Sequence, residues 1–90
     1  MTATKIRQKL EDALKPELIE IIDHSAAHAG HAGNSGGGHY NVTIVSDQFE
    51  GKNLVQRHQM IYKIMGDMMK AEIHALGINA LTPTENSKGN

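Results

Sequence analysis

The sequence predicts an α+β domain with the element order helix, strand, strand, helix, strand. Three observations lead to this prediction: apolar residues repeat at helical spacing in two segments, they alternate or run together in three shorter segments, and 90 residues suffice for a single core. Each amphipathic element needs a partner for its apolar side, so both helices are expected on one face of a three-stranded mixed sheet. The domain is predicted to cover residues 1–83, followed by a disordered polar tail at 84–90.

The two predicted helices have recognisable ends. The first is followed by Pro16, which cannot continue a helix. The second begins after Asn53, which together with Gln56 is typical of a capping box, and is predicted to run to about Ala71 or Ile73. The apolar positions are Ile6, Leu10 and Leu14 in the first helix, and Leu54, His58, Ile61, Met65 and Met68 in the second.

Three segments predict strands. Residues 18–23 are rich in β-branched side chains and predict a mostly buried strand, while residues 40–46 alternate between apolar and polar types. Residues 76–82 alternate in the same way up to a proline, and residues 47–52 predict a turn that presents Phe49, the only Phe. The first two strands are expected to form an antiparallel hairpin, and the third to run parallel to one of them.

Residues 24–39 interrupt this pattern. They include five Gly, four Ala, four His, two Ser and one Asn, with no large apolar side chain as an anchor. This composition predicts a flexible loop that is either functional or disordered, with His24 and His39 at its mouth. Neutral imidazole is a common ligand of Zn, Ni, Cu and Fe, so His28 and His31 can bind a metal ion. A solvated linker in which the histidines are incidental is the alternative.

Two further histidines lie outside this loop. His58 falls on the apolar stripe of the second helix, which favours a packed and hydrogen-bonded side chain. His74 falls at the junction between the helix and the third strand. An imidazole there can interact with the helix C-terminus or expose a ring nitrogen to a ligand.

The lack of Cys restricts the chemistry of the chain. Disulfide frameworks and Cys-only zinc or iron–sulfur sites are excluded, so the chain can only complete a thiolate-bound cluster that another molecule has begun. Neither a Gly-Lys-Ser/Thr phosphate loop nor a His-Glu-x-x-His pair occurs, and catalysis is not expected. Without a long apolar run or a signal peptide, the sequence predicts the cytoplasm, or an organelle matrix if a presequence has been removed.

Basic residues give the second predicted helix and its entry a charged side. Lys52, Arg57 and Lys63 can contact phosphates there, or they can form an ordinary solvated surface. The net charge is −1, whereas a protein that binds nucleic acid mainly through phosphates carries a basic excess. A DNA-binding regulator that uses these three residues is therefore the alternative to a metal-binding function.

Three short motifs resemble those of a known family. They are Phe49-Glu50-Gly51-Lys52 in the predicted turn, Arg57-His58 in the second helix, and His74-Ala75-Leu76 before the Thr82-Pro83 end of the third strand. At these separations the chain resembles the BolA family over nearly its whole length. The resemblance implies an α-β-β-α-β fold like the type II KH module, without the phosphate-clamping loop of KH domains.

The resemblance also implies a function. Members pair with monothiol glutaredoxins of the Cys-Gly-Phe-Ser type in iron–sulfur cluster trafficking or iron sensing, and some act as bacterial transcriptional regulators. A labile [2Fe–2S] cluster is shared: the glutaredoxin Cys and glutathione bind one iron, and the BolA partner binds the other. By resemblance, His74 matches the ligand at the start of the third strand. His28 best matches the loop ligand, with His31 as the alternative.

The chemistry of imidazole adds one expectation to this resemblance. Imidazole binds a metal only when it is deprotonated, so the affinity for a His-ligated cluster is expected to weaken as the pH falls through about 6.5. Without its partner the chain can form a homodimer, and no membrane association is expected. A free-standing Zn or Ni buffer that uses the loop imidazoles is a third hypothesis.

Overall fold

The computed structural model describes residues 2–24 and 38–88. Its helices are α1 (Thr2–Leu14), α2 (Leu54–Met65), α3 (Met68–Ala71) and α4 (Pro83–Lys88), and its strands are β1 (Leu18–Asp23), β2 (Gly38–Val45) and β3 (Ile73–Leu81). A short 3₁₀ turn, Asp47–Phe49, links β2 to α2. Within these described ranges, no helix has both the length and the apolar character needed to cross a membrane.

The three strands form one mixed sheet in the order β1-β2-β3. β1 pairs antiparallel with β2, so that Leu18 lies opposite Val45 and Asp23 lies opposite Tyr40. β3 reaches the other side of β2 after the helical crossover and pairs parallel to it. The sheet and the order of the elements confirm the predicted α+β class.

The helices cover one face of the sheet and form the core with it. The buried core side chains are Ile6, Leu10 and Leu14 of α1, Ile61 and Met65 of α2, Met68 of α3, Tyr40, Val42 and Ile44 of β2, Ile73, Leu76 and Ala80 of β3, and Phe49 of the 3₁₀ turn. Residues that alternate with them along the strands, such as Glu20, Asn41 and Gly77, are exposed on the opposite face. This arrangement confirms the prediction that the helices pack on one side.

Arginine side chains contact the two outer edges of the sheet. Arg7 of α1 donates from Nη1 to the carbonyl of Ile19 in β1 over 3.4 Å. Arg57 of α2 donates from Nη1 to the carbonyl of Ala80 in β3 over 3.0 Å. Each guanidinium thus partners a backbone carbonyl on a strand that has a neighbour on only one side.

The prediction that residues 18–23 are mostly buried is wrong. Every residue of β1 is exposed or half-buried, and Ile22 is 56% exposed. The reason is that β1 is an edge strand with helices on only one face. Its β-branched residues therefore reflect strand propensity more than burial.

The prediction that the turn presents Phe49 is also wrong, because Phe49 is fully buried. Ser46, just before the turn, accepts a hydrogen bond at Oγ from the Gln48 amide and donates one to the Leu14 carbonyl over 2.7 Å. These two bonds tie the turn to the end of α1, and the aromatic ring closes the core at that end. Phe49 is thus part of the core although the residues around it in the turn are polar.

The second helix starts as predicted and ends early. Asn53 and Gln56 form the expected capping box, with reciprocal side-chain-to-backbone bonds of 2.8 and 2.9 Å. The predicted continuation to Ala71 or Ile73 is wrong, because α2 ends at Met65 and is capped by Gly66. This residue has φ +56°, a conformation that glycine adopts without the Cβ clash of other residues. The chain then resumes as the separate short helix α3.

The expected disorder of residues 84–90 is wrong for residues 84–88, which belong to α4, and residues 89–90 lie outside the described part. Thr82 and Glu85 form a reciprocal capping box over 2.9 and 3.2 Å, with Pro83 at the first helical position. The Glu85 carboxylate also accepts hydrogen bonds from both terminal nitrogens of Arg57, over 2.6 and 3.1 Å. The ordered domain therefore continues past residue 83.

The segment 24–39, expected as a flexible loop, has ordered ends. The His24 amide donates to the His39 carbonyl over 2.7 Å, and β2 already begins at Gly38. The Gly38 amide in turn donates to the Glu72 carbonyl over 3.0 Å, next to the first residue of β3. Residues 25–37, with the predicted ligands His28 and His31, lie outside the described residues.

The ion pair between Arg57 and Glu85 makes stability depend on pH. The hydrogen bonds from Arg57 and from the Thr82 backbone lower the pKa of Glu85 from 4.5 to about 2. Because the folded state holds this carboxylate ionised, the pair stabilises the fold fully above pH 4.5 and loses its effect as the pH falls towards 2. We expect Glu85→Gln to be less stable than the parent at pH 7, with the difference shrinking between pH 4.5 and 2.

Urea unfolding at a series of pH values measures this difference. Glu20→Gln is the matched control, because Glu20 is an exposed carboxylate that belongs to none of the ion pairs of the described residues. A stability difference for Glu85→Gln that stays constant from pH 7 to pH 2 would contradict the proposed contribution of the ion pair.

Candidate metal centre

Three histidines meet at one end of the sheet. His24 directly follows β1, His39 is the second residue of β2, and His74 is the second residue of β3. Because β1 runs antiparallel to β2 and β3 runs parallel to it, the end of β1 lies beside the starts of the other two strands. The topology thus brings together imidazoles that are 15 to 50 positions apart in the sequence.

His74 lies at an irregularity in the pairing of β2 and β3. Gly38 lies opposite Ile73, but the next residue of β2, His39, lies opposite Ala75. His74 is therefore the extra residue of a β-bulge, and its side chain is exposed. Bulges are frequent next to functional sites because they redirect a side chain away from the regular alternation of the strand.

The ring of His39 stacks on the ring of His74. The ring centroids are 4.9 Å apart and the ring planes are inclined by 23°. This distance is in the range of centroid separations found for stacked aromatic rings. His39 is half-buried, whereas His74 is exposed, so the pair has an inner and an outer ring.

His24 is held by a different contact. Its Nε2 lies 3.0 Å from the amide nitrogen Nδ2 of Asn41. An amide nitrogen donates, and Nε2 of His24 accepts from it in the tautomer that carries the ring proton on Nδ1. The nitrogen of His24 that faces Asn41 is thus engaged.

Gly77 leaves room for the Asn41 side chain. It lies opposite Asn41 in the sheet, and a Cβ at this position would clash with Oδ1 of Asn41 and lie 3.2 Å from its Cγ. The missing side chain makes room for Oδ1 of Asn41 on the β3 side, while Nδ2 of the same carboxamide faces His24 at the end of β1. Gly77, Asn41 and His24 therefore form a connected row on the open face of the sheet.

The segment before His74 is held by ionic and backbone contacts. The Glu72 side chain accepts hydrogen bonds from Lys5 over 3.1 Å and from Thr2 over 3.3 Å, and its carbonyl accepts from Gly38. The hydrogen bond from Lys5, with the charge of that ammonium group, lowers the pKa of Glu72. α1, β2 and the start of β3 are thereby joined two residues before His74.

The donor set suits part of a metal site. Within residues 2–24 and 38–88, no three His, Asp or Glu side chains are grouped so that they could hold a metal ion. Imidazole is a ligand for Fe, Zn, Cu and Ni, and two imidazoles can replace two thiolates on one iron of a [2Fe–2S] cluster. The histidines at this end of the sheet are thus of a ligand type that these metals accept, but they form no complete site among the described residues.

The structure locates some of the residues predicted for the site. His74 is exposed at the sheet end as the second residue of β3, two positions after Glu72 caps α3, which is the predicted junction between helix and strand, and His58 is half-buried in α2. Sequence reasoning counted His39 with the loop and missed its contact with His74. Strand alternation places His39 on the open face, but the bulge that brings the two rings together has no sequence signal.

The three predicted phosphate contacts differ in accessibility. Lys52 and Lys63 are exposed, whereas Arg57 is 6% exposed. The Arg57 guanidinium donates to the carbonyls of Lys52 and Ala80 and to the carboxylate of Glu85. This side chain is therefore part of the fold and is not available to a phosphate.

We expect Gly77→Ala to fold with a free energy of unfolding within about 1 kcal/mol of the parent, because the Asn41 carboxamide can rotate away and alanine lowers the entropy of the unfolded chain. The displaced carboxamide no longer contacts His24. The ¹⁵N chemical shifts of the His24 ring, which report its tautomer, measure this loss.

An Asn41→Ala background provides the control for this substitution. There the Gly77→Ala change should leave the His24 ring shifts unaltered, since the contact has already been removed. Unchanged His24 shifts in the single Gly77→Ala variant would show that Asn41 does not fix this ring.

Comparison with known proteins assigns the chain to a family. Residues 10–85 match the family model described as BolA-like protein. The chain is 48% identical over 87 residues to SufE-like protein 1, chloroplastic/mitochondrial, of Arabidopsis thaliana, in a match that covers 90% of this chain and 24% of that protein. It is 40% identical over 80 residues to BolA-like protein 1 of Mus musculus, which covers 89% of this chain and 57% of that protein. The chain thus spans between a quarter and somewhat over half the length of these relatives.

A bacterial relative and a solved structure extend the match. The chain is 34% identical over 85 residues to the DNA-binding transcriptional regulator BolA of Escherichia coli (strain K12), covering 94% of this chain and 79% of that protein. The BolA domain of SufE1 from Arabidopsis thaliana superposes with a TM-score of 0.81 at 48% identity, covering 93% of this chain and 94% of that one. On the fold, the family model and these relatives together, the chain belongs to the BolA-like protein family.

Proposed function

We propose that the protein is a non-catalytic adaptor that binds a monothiol glutaredoxin and co-ligates a labile [2Fe–2S] cluster for iron–sulfur cluster assembly, trafficking or iron sensing. The observation that supports this most directly is the position of His74. Its imidazole is exposed on a β-bulge at the end of the sheet where residues 25–37 leave and rejoin the described structure. Such a position lets a second molecule approach the ring.

The proposed ligands from this chain are His74 and an imidazole of the segment 25–37. His28 is the first choice and His31 the alternative. His28 is four residues from His24, so the Cα atoms of the two residues are at most about 14 Å apart even in a fully extended chain. His24 itself is bonded to the backbone of His39, the residue that stacks on His74. This reach is compatible with a role for His28 as the second ligand beside His74.

The missing ligands follow from the composition. The chain has no Cys, and the described residues offer no third His, Asp or Glu at the site. A [2Fe–2S] cluster held partly by two imidazoles needs thiolates on its other iron. In the proposed complex the glutaredoxin Cys and glutathione supply them. Imidazole ligation lowers the negative charge at the iron and raises the potential of the cluster.

The proposal places the protein in a compartment that contains reduced glutathione, either the cytoplasm or an organelle matrix. Such compartments keep thiols reduced, as the shared cluster requires. The Arabidopsis thaliana relative is named as a chloroplastic/mitochondrial protein, which supports the organelle version of this proposal.

Replacement of the ligands tests the proposal. We expect His74→Ala, combined with a Cys-Gly-Phe-Ser glutaredoxin, iron, sulfide and glutathione, to lose the absorption and circular dichroism bands of the mixed complex. Cluster loss should be at least about tenfold faster than in the parent, because one iron lacks a ligand. His28→Ala and His31→Ala, measured in parallel, identify the second ligand.

His58→Ala is the matched control, since it removes a half-buried imidazole from α2, away from the sheet end. It should leave the spectrum of the mixed complex unchanged. The proposal fails if the parent mixture has the same spectrum as the glutaredoxin homodimer, or if His74→Ala retains the full spectrum of the mixed complex.

DNA binding is the second candidate, favoured by the name of the Escherichia coli relative, a DNA-binding transcriptional regulator. Among the three predicted contacts, Lys52 and Lys63 are exposed and can reach phosphates. The net charge of −1 limits the number of further contacts.

With two phosphate contacts, the plot of log affinity against log salt concentration for a promoter-length duplex should have a slope of about −2. Lys63→Ala should reduce the magnitude of the slope by about one, while Lys9→Ala on α1 serves as a control for net charge. Fluorescence anisotropy over a salt series measures the slope. A slope near zero in the parent would eliminate this candidate.

A further inference from the structure

We propose that His39 is a positioning residue for His74. Its ring stacks on the ring of His74 and holds that imidazole in one orientation before a cluster arrives. This inference rests on the proposed role of His74 as a ligand, and it concerns a residue that neither the sequence motifs nor the comparisons single out.

The backbone of His39 is fixed on both sides. His39 lies opposite Ala75 in β3, and its carbonyl accepts from the His24 amide over 2.7 Å. The next residue, Tyr40, is buried in the core. The ring of His39 is itself half-buried. His39 therefore offers a fixed surface for a neighbouring ring.

His74 has the opposite surroundings. It is the extra residue of the bulge, where the regular ladder between β2 and β3 is interrupted, and its side chain is exposed. An exposed side chain at a bulge samples several rotamers unless a neighbour restricts it. The stacked ring of His39, with its centroid 4.9 Å away, is such a neighbour.

The geometry favours support over joint metal binding. The lone pair of an imidazole nitrogen lies in the plane of its ring, and the planes of His39 and His74 are inclined by only 23°. Lone pairs in two nearly parallel, stacked rings run alongside each other and do not converge on one ion. If His74 bound a metal, His39 would therefore contact the face of the His74 ring and would not itself be a ligand. Neighbours that orient a ligand typically change metal affinity 10- to 100-fold.

Two substitutions separate support from ligation. His39→Phe keeps a flat ring and removes both nitrogens, while His39→Leu keeps similar bulk without a ring. In the free protein, three-bond couplings of the His74 side chain report its rotamer, and its ring protons report the ring current of the neighbour. We expect one dominant His74 rotamer in the parent and in His39→Phe, and averaged couplings in His39→Leu.

The complex with the glutaredoxin gives the second readout. We expect cluster loss in His39→Phe to remain within about twofold of the parent, and cluster loss in His39→Leu to be about tenfold faster. If His39→Phe loses the cluster as fast as His39→Leu, a nitrogen of His39 is needed and the positioning role is overturned. If His39→Leu behaves as the parent in both measurements, the stack has no function and the inference also fails.

The two readouts keep this inference distinct from the proposed function. Should His74→Ala retain the cluster, the ligand proposal fails, while the couplings in the free protein still show whether His39 orders His74. Thermal unfolding followed by circular dichroism confirms that each variant is folded. His58→Phe, at the half-buried imidazole of α2, provides the control for exchanging His and Phe elsewhere in the chain.

Discussion

The central strand β2 is the constraint on which the rest of the structure depends. Its antiparallel pairing with β1 and its parallel pairing with β3 bring the end of one neighbour and the start of the other to the same edge of the sheet. Its inward residues contribute to the core that packs against α1, α2 and α3, while its outward residues include His39 and Asn41. Stability and the candidate metal centre therefore depend on the same eight residues. A shift of this strand by one residue would exchange its two faces and lose both.

Much of the fold can be predicted from the sequence because its elements have regular periods. The apolar repeats locate α1 and β2 closely, and the pairing of Asn53 with Gln56 marks the start of α2. The helix ends that periodicity predicts wrongly carry local signals of their own. Gly66 ends α2 through its backbone conformation, and Thr82 with Glu85 forms a capping box of the same kind as the one at Asn53. Phe49 is a different case, because its turn is bonded through Ser46 to the end of α1, a long-range contact that the local sequence does not show.

The candidate site was less accessible to sequence reasoning. The family motif identifies His74, but its environment depends on a register shift between β2 and β3, whose paired residues Gly38 and Ile73 are 35 positions apart. No periodicity encodes such a shift, so the stacking of His39 on His74 could not be foreseen. The burial of Arg57 has the same origin, since its partners lie on β3 and α4. Long-range contacts of this kind decide which polar residues are free to bind and which hold the fold together.

The two arginine contacts at the sheet edges have a consequence for self-association. A three-stranded sheet has unpaired backbone groups along both outer strands, and these can recruit a strand from another molecule. Arg7 occupies the carbonyl of Ile19 on one side, and Arg57 occupies that of Ala80 on the other. An incoming strand would have to displace a guanidinium at each of these points, and on the β3 side it would also have to break the ion pair between Arg57 and Glu85. The two arginines thus oppose the addition of a further strand at either edge of the sheet.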